Sequence, residues 1–217
     1  MQTALIIEFA GLPNSGKTTL INKLSKVLPG DGISVTVVQE SAEIVPESIP
    51  KKTWDRNTWT TFHCLQDLVS AKYAGTDVVL IDRSYYDAVF WMDYMKKADM
   101  CTPSEYYAMS SILSKAGDVF GLKPDLIFML DCNVEESLRR RHAQKGLPAP
   151  VYSTDDFLSS YQKELHHFFN DFDEDLGYYY FDTTKLTEDE MLNVTRDKIR
   201  EIFGVRSHET LGESETA

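Results

Sequence analysis

The chain has 217 residues, 42% of them apolar, and no Pro-, Gly- or Ser-rich linker divides it, so composition supports one packed core and a single domain. Acidic residues outnumber basic ones by 34 to 22, for a formal net charge of −12. That balance excludes nonspecific binding to nucleic acid or anionic membrane and leaves small molecules as partners, with a homodimer left open.

The first residues, Met1 to Glu8, lack a basic stretch, and Glu8 interrupts their apolar run, so they read as a buried strand rather than a signal peptide. No apolar run approaches the ~20 residues that cross a bilayer. Cys64, Cys101 and Cys132 form neither a CxxC pair nor an even set, which points to reduced packing thiols and a cytoplasmic location.

The strand at Leu5 to Phe9 runs into Gly11-Leu12-Pro13-Asn14-Ser15-Gly16-Lys17-Thr18, which fits GxxxxGK[ST]. A helix-period segment follows it: Leu20, Ile21, Leu24, Val27 and Leu28. Strand, glycine-rich reversal and helix together aim successive backbone N–H groups at the positive end of the helix, a cradle for a polyphosphate. Gly11, Asn14, Ser15, Gly16, Lys17, Thr18 and Thr19 are its candidate binding residues. The Lys17 ammonium can lie against β and γ phosphates, and the Thr18 hydroxyl can ligate the magnesium that accompanies them.

Further apolar runs at Ile33 to Val38, Val78 to Ile81, Leu126 to Leu130 and Tyr178 to Phe181 read as strands buried on both faces. Helix-period segments alternate with them: Phe62, Leu65, Val69 and Tyr73; Ser84 to Met95; Phe157, Tyr161, Leu165 and Phe168; Leu192, Thr195, Ile199 and Ile202. The order predicts an α/β fold with a five-stranded parallel sheet between helical layers and a ligand crevice at the carboxyl ends of the strands. Residues 207–217, acidic and without apolar period, read as a flexible tail.

Several strand ends bring chemistry to that crevice. Asp82, closing the third strand, is a candidate magnesium ligand alongside Thr18, and Arg83 a candidate grip on the acceptor; a helix N-cap is the other reading of Asp82. Asp131 closes the fourth strand, where capping of the next helix suffices for it. Glu40, closing the second, could take a proton from an acceptor hydroxyl or be a solvated loop acid. The basic run at 139–145 leads into Gly146, Pro148 and Pro150 and predicts a lid at about 141–153. Positive charge brought to a transferring phosphoryl group by Arg140, Arg141 and Lys145 can be worth ~10³ to 10⁵ in rate. Trp54, Arg56, His63, Gln66 and Tyr86 are candidates for lining an acceptor pocket.

With those residues in place, the sequence resembles the thymidylate kinase and deoxynucleoside kinase group of P-loop kinases. The matching pieces are the loop at 11–18, Glu40, Asp82-Arg83-Ser84, Pro124-Asp125-Leu126-Ile127 and the arginine cluster, in that order. The resemblance implies a kinase domain over residues 1–206, ATP and Mg²⁺ as cofactors, and transfer of the γ-phosphoryl group to a nucleoside or nucleoside monophosphate. It also implies that Glu40 is the base. Two departures stand out: Gln39-Glu40-Ser41 where thymidylate kinases show Arg-Glu-Pro, and Ala10 where an acid usually precedes the first loop glycine. They leave the kinase of a non-nucleotide small alcohol as an alternative; a regulatory P-loop NTPase is weaker, since NKxD is absent.

Overall fold

The computed structural model describes residues 4–143, 154–172 and 177–214. Five parallel strands, β1 (Leu5–Gly11), β2 (Val35–Val38), β3 (Val78–Asp82), β4 (Leu126–Asp131) and β5 (Tyr178–Asp182), form one sheet in the order β2-β3-β1-β4-β5. The described helices are α1 (Lys17–Val27), α2 (Trp54–Ala71), α3 (Tyr85–Lys97), α4 (Pro103–Asp118), α5 (Val134–Ala143), α6 (Asp155–Phe169) and α7 (Glu188–Ser214). None of them is long and apolar enough to cross a membrane.

Alternation along β1 sorts the layers. Leu5, Ile7 and Phe9 share one core with Leu20, Ile21 and Leu24 of α1 and with Met191 and Ile199 of α7. Ala4 and Ile6 pack with α2, α3 and α4, while Ala10 joins α3 and α6. Because β1 sits between β3 and β4, the chain crosses the sheet centre between its third and fourth strands. The β1 loop therefore opens at the point where strand order reverses, the usual place for a ligand crevice.

The expectation of strands buried on both faces holds for β1, β3 and β4 but not for β2 and β5, whose residues are half-buried or exposed. These two are the sheet edges, where one side lacks a partner strand. Most of the predicted apolar stripe faces out: Phe62 and Val69 on α2 and Tyr73 just past its end are 49%, 45% and 82% exposed, while Leu65 packs against the core. The buried stripe is Asn57, Thr61, Cys64, Leu68 and Ala71, at intervals of four, three, four and three. These smaller side chains sit where the helix meets α3, and two of them are polar enough to have hidden the period.

The backbone of α7 continues through most of the segment expected as a tail, to Ser214. Once Met191, Thr195 and Ile199 have anchored a helix, each added residue costs little compared with nucleation, so polar composition alone does not end it.

Candidate active site

The turn after β1 is specified by backbone. Gly11 has φ +133°, and a Cβ there would lie 1.9 Å from Leu130 O of the neighbouring strand, so no larger residue fits. Gly16, the N-cap of α1, has φ +103° and supplies no side-chain cap. The first amides of α1 have no partner within the helix and face the loop's interior at its positive end. Ser15 Oγ is buried and has no hydrogen-bond partner.

Lys17 is buried, and its Nζ donates to Leu12 O at 2.9 Å and Gly11 O at 3.3 Å. Burial, then the nearby Arg83 guanidinium, pushes its pKa down to about 8. Thr18 Oγ1 donates to Asp82 Oδ2, joining the two candidate magnesium ligands. The other Asp82 oxygen, Oδ1, is buried and has no partner.

Asp82 does not cap the following helix. That work falls to Glu8, fully buried on the α3 side of β1. Its carboxylate accepts N–H bonds from Ser84 at 2.9 Å, Tyr86 at 3.0 Å and Asp87 at 2.9 Å. Burial pushes Glu8 up to about 7 against the pull of those amides. The acid two positions before the loop glycine thus holds the start of α3 directly behind the site.

Arg83, in left-handed backbone at φ +59°, is held at every turn. Its Nη1 donates to Asp87 Oδ1 and, at 3.1 Å, to Tyr161 OH; Nη2 donates to Gly11 O at 3.1 Å; Nε lies 3.3 Å from Glu40 Oε1. Glu40, half-buried, has its pKa raised to about 7 by burial, an effect Arg83 opposes and Asp82 reinforces.

Arg140 closes the glycine-loop side of the cavity. Its Nη1 donates to Ser15 O at 3.0 Å, to Asn14 O at 3.4 Å and to Thr183 Oγ1 at 3.0 Å; Nη2 donates to Thr183 O at 2.6 Å, and Nε pairs with Glu136 at 2.7 Å. One guanidinium thereby ties the phosphate loop, α5 and the residue after β5. Arg139 instead spends its bonds on Glu136. All of this surrounds one cavity of about 1360 Å³, more than a single small-ligand pocket usually needs and room for two ligands side by side.

The sequence candidates fall into three groups. Asn14, Ser15, Gly16, Lys17, Thr18, Thr19, Glu40, Arg56, Arg83, Arg140 and Arg141 line the cavity, and Gly11 and Asp82 stand behind it. Trp54, His63, Gln66 and Tyr86 do not line it. Trp54 and Tyr86 pack on the core; His63 Nδ1 lies 3.0 Å from Asp67 and 3.3 Å from Ser41 Oγ; Gln66 is exposed. Lys145 and most of the predicted lid lie outside the described residues. Asp131 is not a cap either. Asn133 Oδ1 accepts the Glu136 amide, while Asp131 is buried against Gln162, His166 and Tyr180.

No protein-family model matches the chain. Curated relatives do: a thymidylate kinase of Chlorobium limicola is 24% identical over 66% of this chain and 68% of its own, and one of Chlorobium phaeobacteroides is 26% identical over 70% and 71%. Among solved structures, deoxyadenosine kinase from M. mycoides with bound dCTP superposes with a TM-score of 0.69, at 14% identity, over 90% of this chain and 99% of that one. The chain is related to the P-loop nucleotide and nucleoside kinases. These are phosphotransferases, and the five-stranded sheet is the one their deoxynucleoside kinase neighbours share.

Sequence reasoning missed several residues of this candidate site. Asn57, Asp87, Phe157 and Thr183 all line the cavity, as does Trp91, whose indole the sequence did offer as planar lining. Asp87 had a signal, its i+4 spacing from Arg83 on a helix start. Asn57 had a fainter one, at the head of the polar-looking stripe that α2 buries. Thr183 had none, because its contacts with Ser15 O at 3.0 Å and Asp131 O at 2.8 Å depend on the β4–β5 register.

Proposed function

We propose that the chain is an ATP- and magnesium-dependent kinase that transfers the γ-phosphoryl group to a nucleoside or nucleoside monophosphate, in a reducing, cytoplasmic setting. The observation that carries this is the Thr18–Asp82 pair: a hydroxyl lining the cavity and, behind it, a buried carboxylate with one oxygen unsatisfied, beside an uncapped glycine loop. Hard oxygen donors in small number suit magnesium, which prefers to complete its shell with phosphate and water. Among the described residues no three of His, Cys, Asp and Glu cluster to offer an alternative metal site. Magnesium held by Thr18 and Asp82 would neutralise charge on the phosphate oxygens.

The chain's own groups do the rest. Loop amides and Lys17 bind the polyphosphate, with Lys17 exchanging its bonds to Gly11 O and Leu12 O for phosphate oxygens. Arg140 fixes the loop against Thr183 on the donor side. Arg83 positions Glu40 and Asp87 at the other end, where Glu40 can accept the proton that an acceptor hydroxyl loses. The three free cysteines are consistent with a reducing compartment.

The experiment is ADP release from ATP and magnesium with and without a panel of nucleosides, nucleotides and small alcohols. Acceptor-stimulated release with a phosphorylated product supports the reading. Slow hydrolysis that no acceptor accelerates would sink it.

A further inference from the structure

Resting on the kinase reading above, we infer that the acceptor end of the cavity takes an uncharged, hydroxyl-bearing molecule of the nucleoside class and excludes its monophosphate, and that the Asn57 side-chain amide reads that molecule.

The exclusion follows from what surrounds the transfer point. A guanidinium has five N–H donors, and four of those of Arg83 face partners already: Nη1 binds Asp87 and Tyr161, Nη2 binds Gly11 O, and Nε pairs with Glu40. Two of these partners are carboxylates that themselves line the cavity. A phosphate arriving here would find at most one N–H of Arg83 left to it and would face both carboxylates as like charges. The other cations lining this end are differently placed. Arg56 donates to Ile49 O at 3.2 Å and Ala42 O at 3.0 Å, and Lys51 and Lys52 are exposed ahead of α2, where solvent screens them.

A neutral alcohol meets the opposite conditions. Its hydroxyl can donate to Glu40 while the Arg83 pairs stay intact. Trp91 and Phe157, both lining the cavity, offer flat apolar surface to a ring. Asn57 supplies a donor. It is 8% exposed, it lines the cavity, and its Nδ2 is buried without a hydrogen-bond partner. A buried N–H left unpaired is costly, and a carbonyl oxygen or ring nitrogen of the acceptor would satisfy it. The site would then reject analogues lacking that acceptor atom, because they leave Asn57 as it is now.

The test pairs nucleosides with their own 5′-monophosphates: adenosine, guanosine, cytidine, uridine and thymidine against AMP, GMP, CMP, UMP and dTMP, with ATP and magnesium and the full chain. At least one nucleoside should exceed its monophosphate in kcat/KM by about 100-fold, a discrimination that polar mismatch can supply. A monophosphate that is as good or better overturns the inference and leaves the kinase reading standing. If neither set accelerates ADP release, both fall, and calorimetry with ATP then shows whether the donor end has failed too. For Asn57, the isosteric Asn57→Asp and the truncation Asn57→Ala should each raise acceptor KM by about 10- to 100-fold, with kcat and the KM for ATP nearly unchanged. An unaltered acceptor KM in folded variants, checked by circular dichroism, would overturn the role given to Asn57.

Discussion

The two ends of the cavity are built from different materials. The end proposed for the phosphate donor is a contiguous stretch, residues 11–19, whose shape is set by backbone: two glycines at positive φ, a strand behind and a helix ahead. The end proposed for the acceptor is assembled from side chains that arrive separately, Glu40 after β2, Asn57 on α2, Arg83 after β3, Asp87 and Trp91 on α3, and Phe157 on α6. A site made of amides grips whatever carries phosphates and tolerates little change. A site made of side chains from five places can be retuned one residue at a time without disturbing the sheet.

That contrast can be broken most decisively at Lys17. Lys17→Ala should abolish phosphoryl transfer, a loss of 10³-fold or about that and beyond, with the fold intact by circular dichroism. Undiminished turnover would remove the loop from the chemistry. At the other end, Glu40→Gln should cost roughly 10² to 10⁴ in kcat with the KM for ATP little changed, since it removes a proton acceptor and leaves the phosphate cradle alone. Equal loss of ATP affinity would mean that the two ends are not separable.

Arg140→Ala probes the donor end's one dependence on a distant side chain. Removing its bonds to Ser15 O, Asn14 O and Thr183 leaves the loop less firmly placed and takes a cation from the site. We expect kcat to fall about 10- to 100-fold and the KM for ATP to change less, because misplacement by a fraction of an ångström penalises the reacting geometry before it penalises binding. A larger change in KM than in kcat would make Arg140 a binding residue only.

The same contrast explains what could be read from the amino-acid sequence. The strands themselves were accessible because β1, β3 and β4 are largely apolar runs, and the glycine loop because its residues are neighbours in the chain. The acceptor end was not, because membership depends on which helix face turns inward. On α2 the apolar residues Phe62 and Val69 point to solvent while Asn57 and Thr61 are buried, so a period drawn through the largest side chains selects the wrong face. Gln66 was taken from the polar side of the same helix, beside His63, and lies exposed. Glu8 was visible only as a departure, two positions from where an acid usually stands. Its task, accepting three amides at the head of α3, follows from strand alternation that places it on the side where that helix starts.

The smallest effect concerns pH, and it assigns one limb of a profile to each end. Glu40 is raised to about 7 by burial, so below that pH it is protonated and cannot accept a proton; turnover per unit substrate should fall about tenfold per pH unit on the acid side. Lys17 is lowered to about 8 by burial, so above that pH it loses the charge that faces the phosphates, and the profile should fall on the alkaline side as well. Both groups are read in the free enzyme, so the bell belongs to kcat/KM. In Glu40→Gln the acid limb should disappear while the alkaline limb remains, because a neutral amide has nothing to titrate and Lys17 is still in place. An acid limb that survives the substitution would transfer the proton acceptor's role elsewhere, with Asp87, the other carboxylate held by Arg83, as the group to replace next.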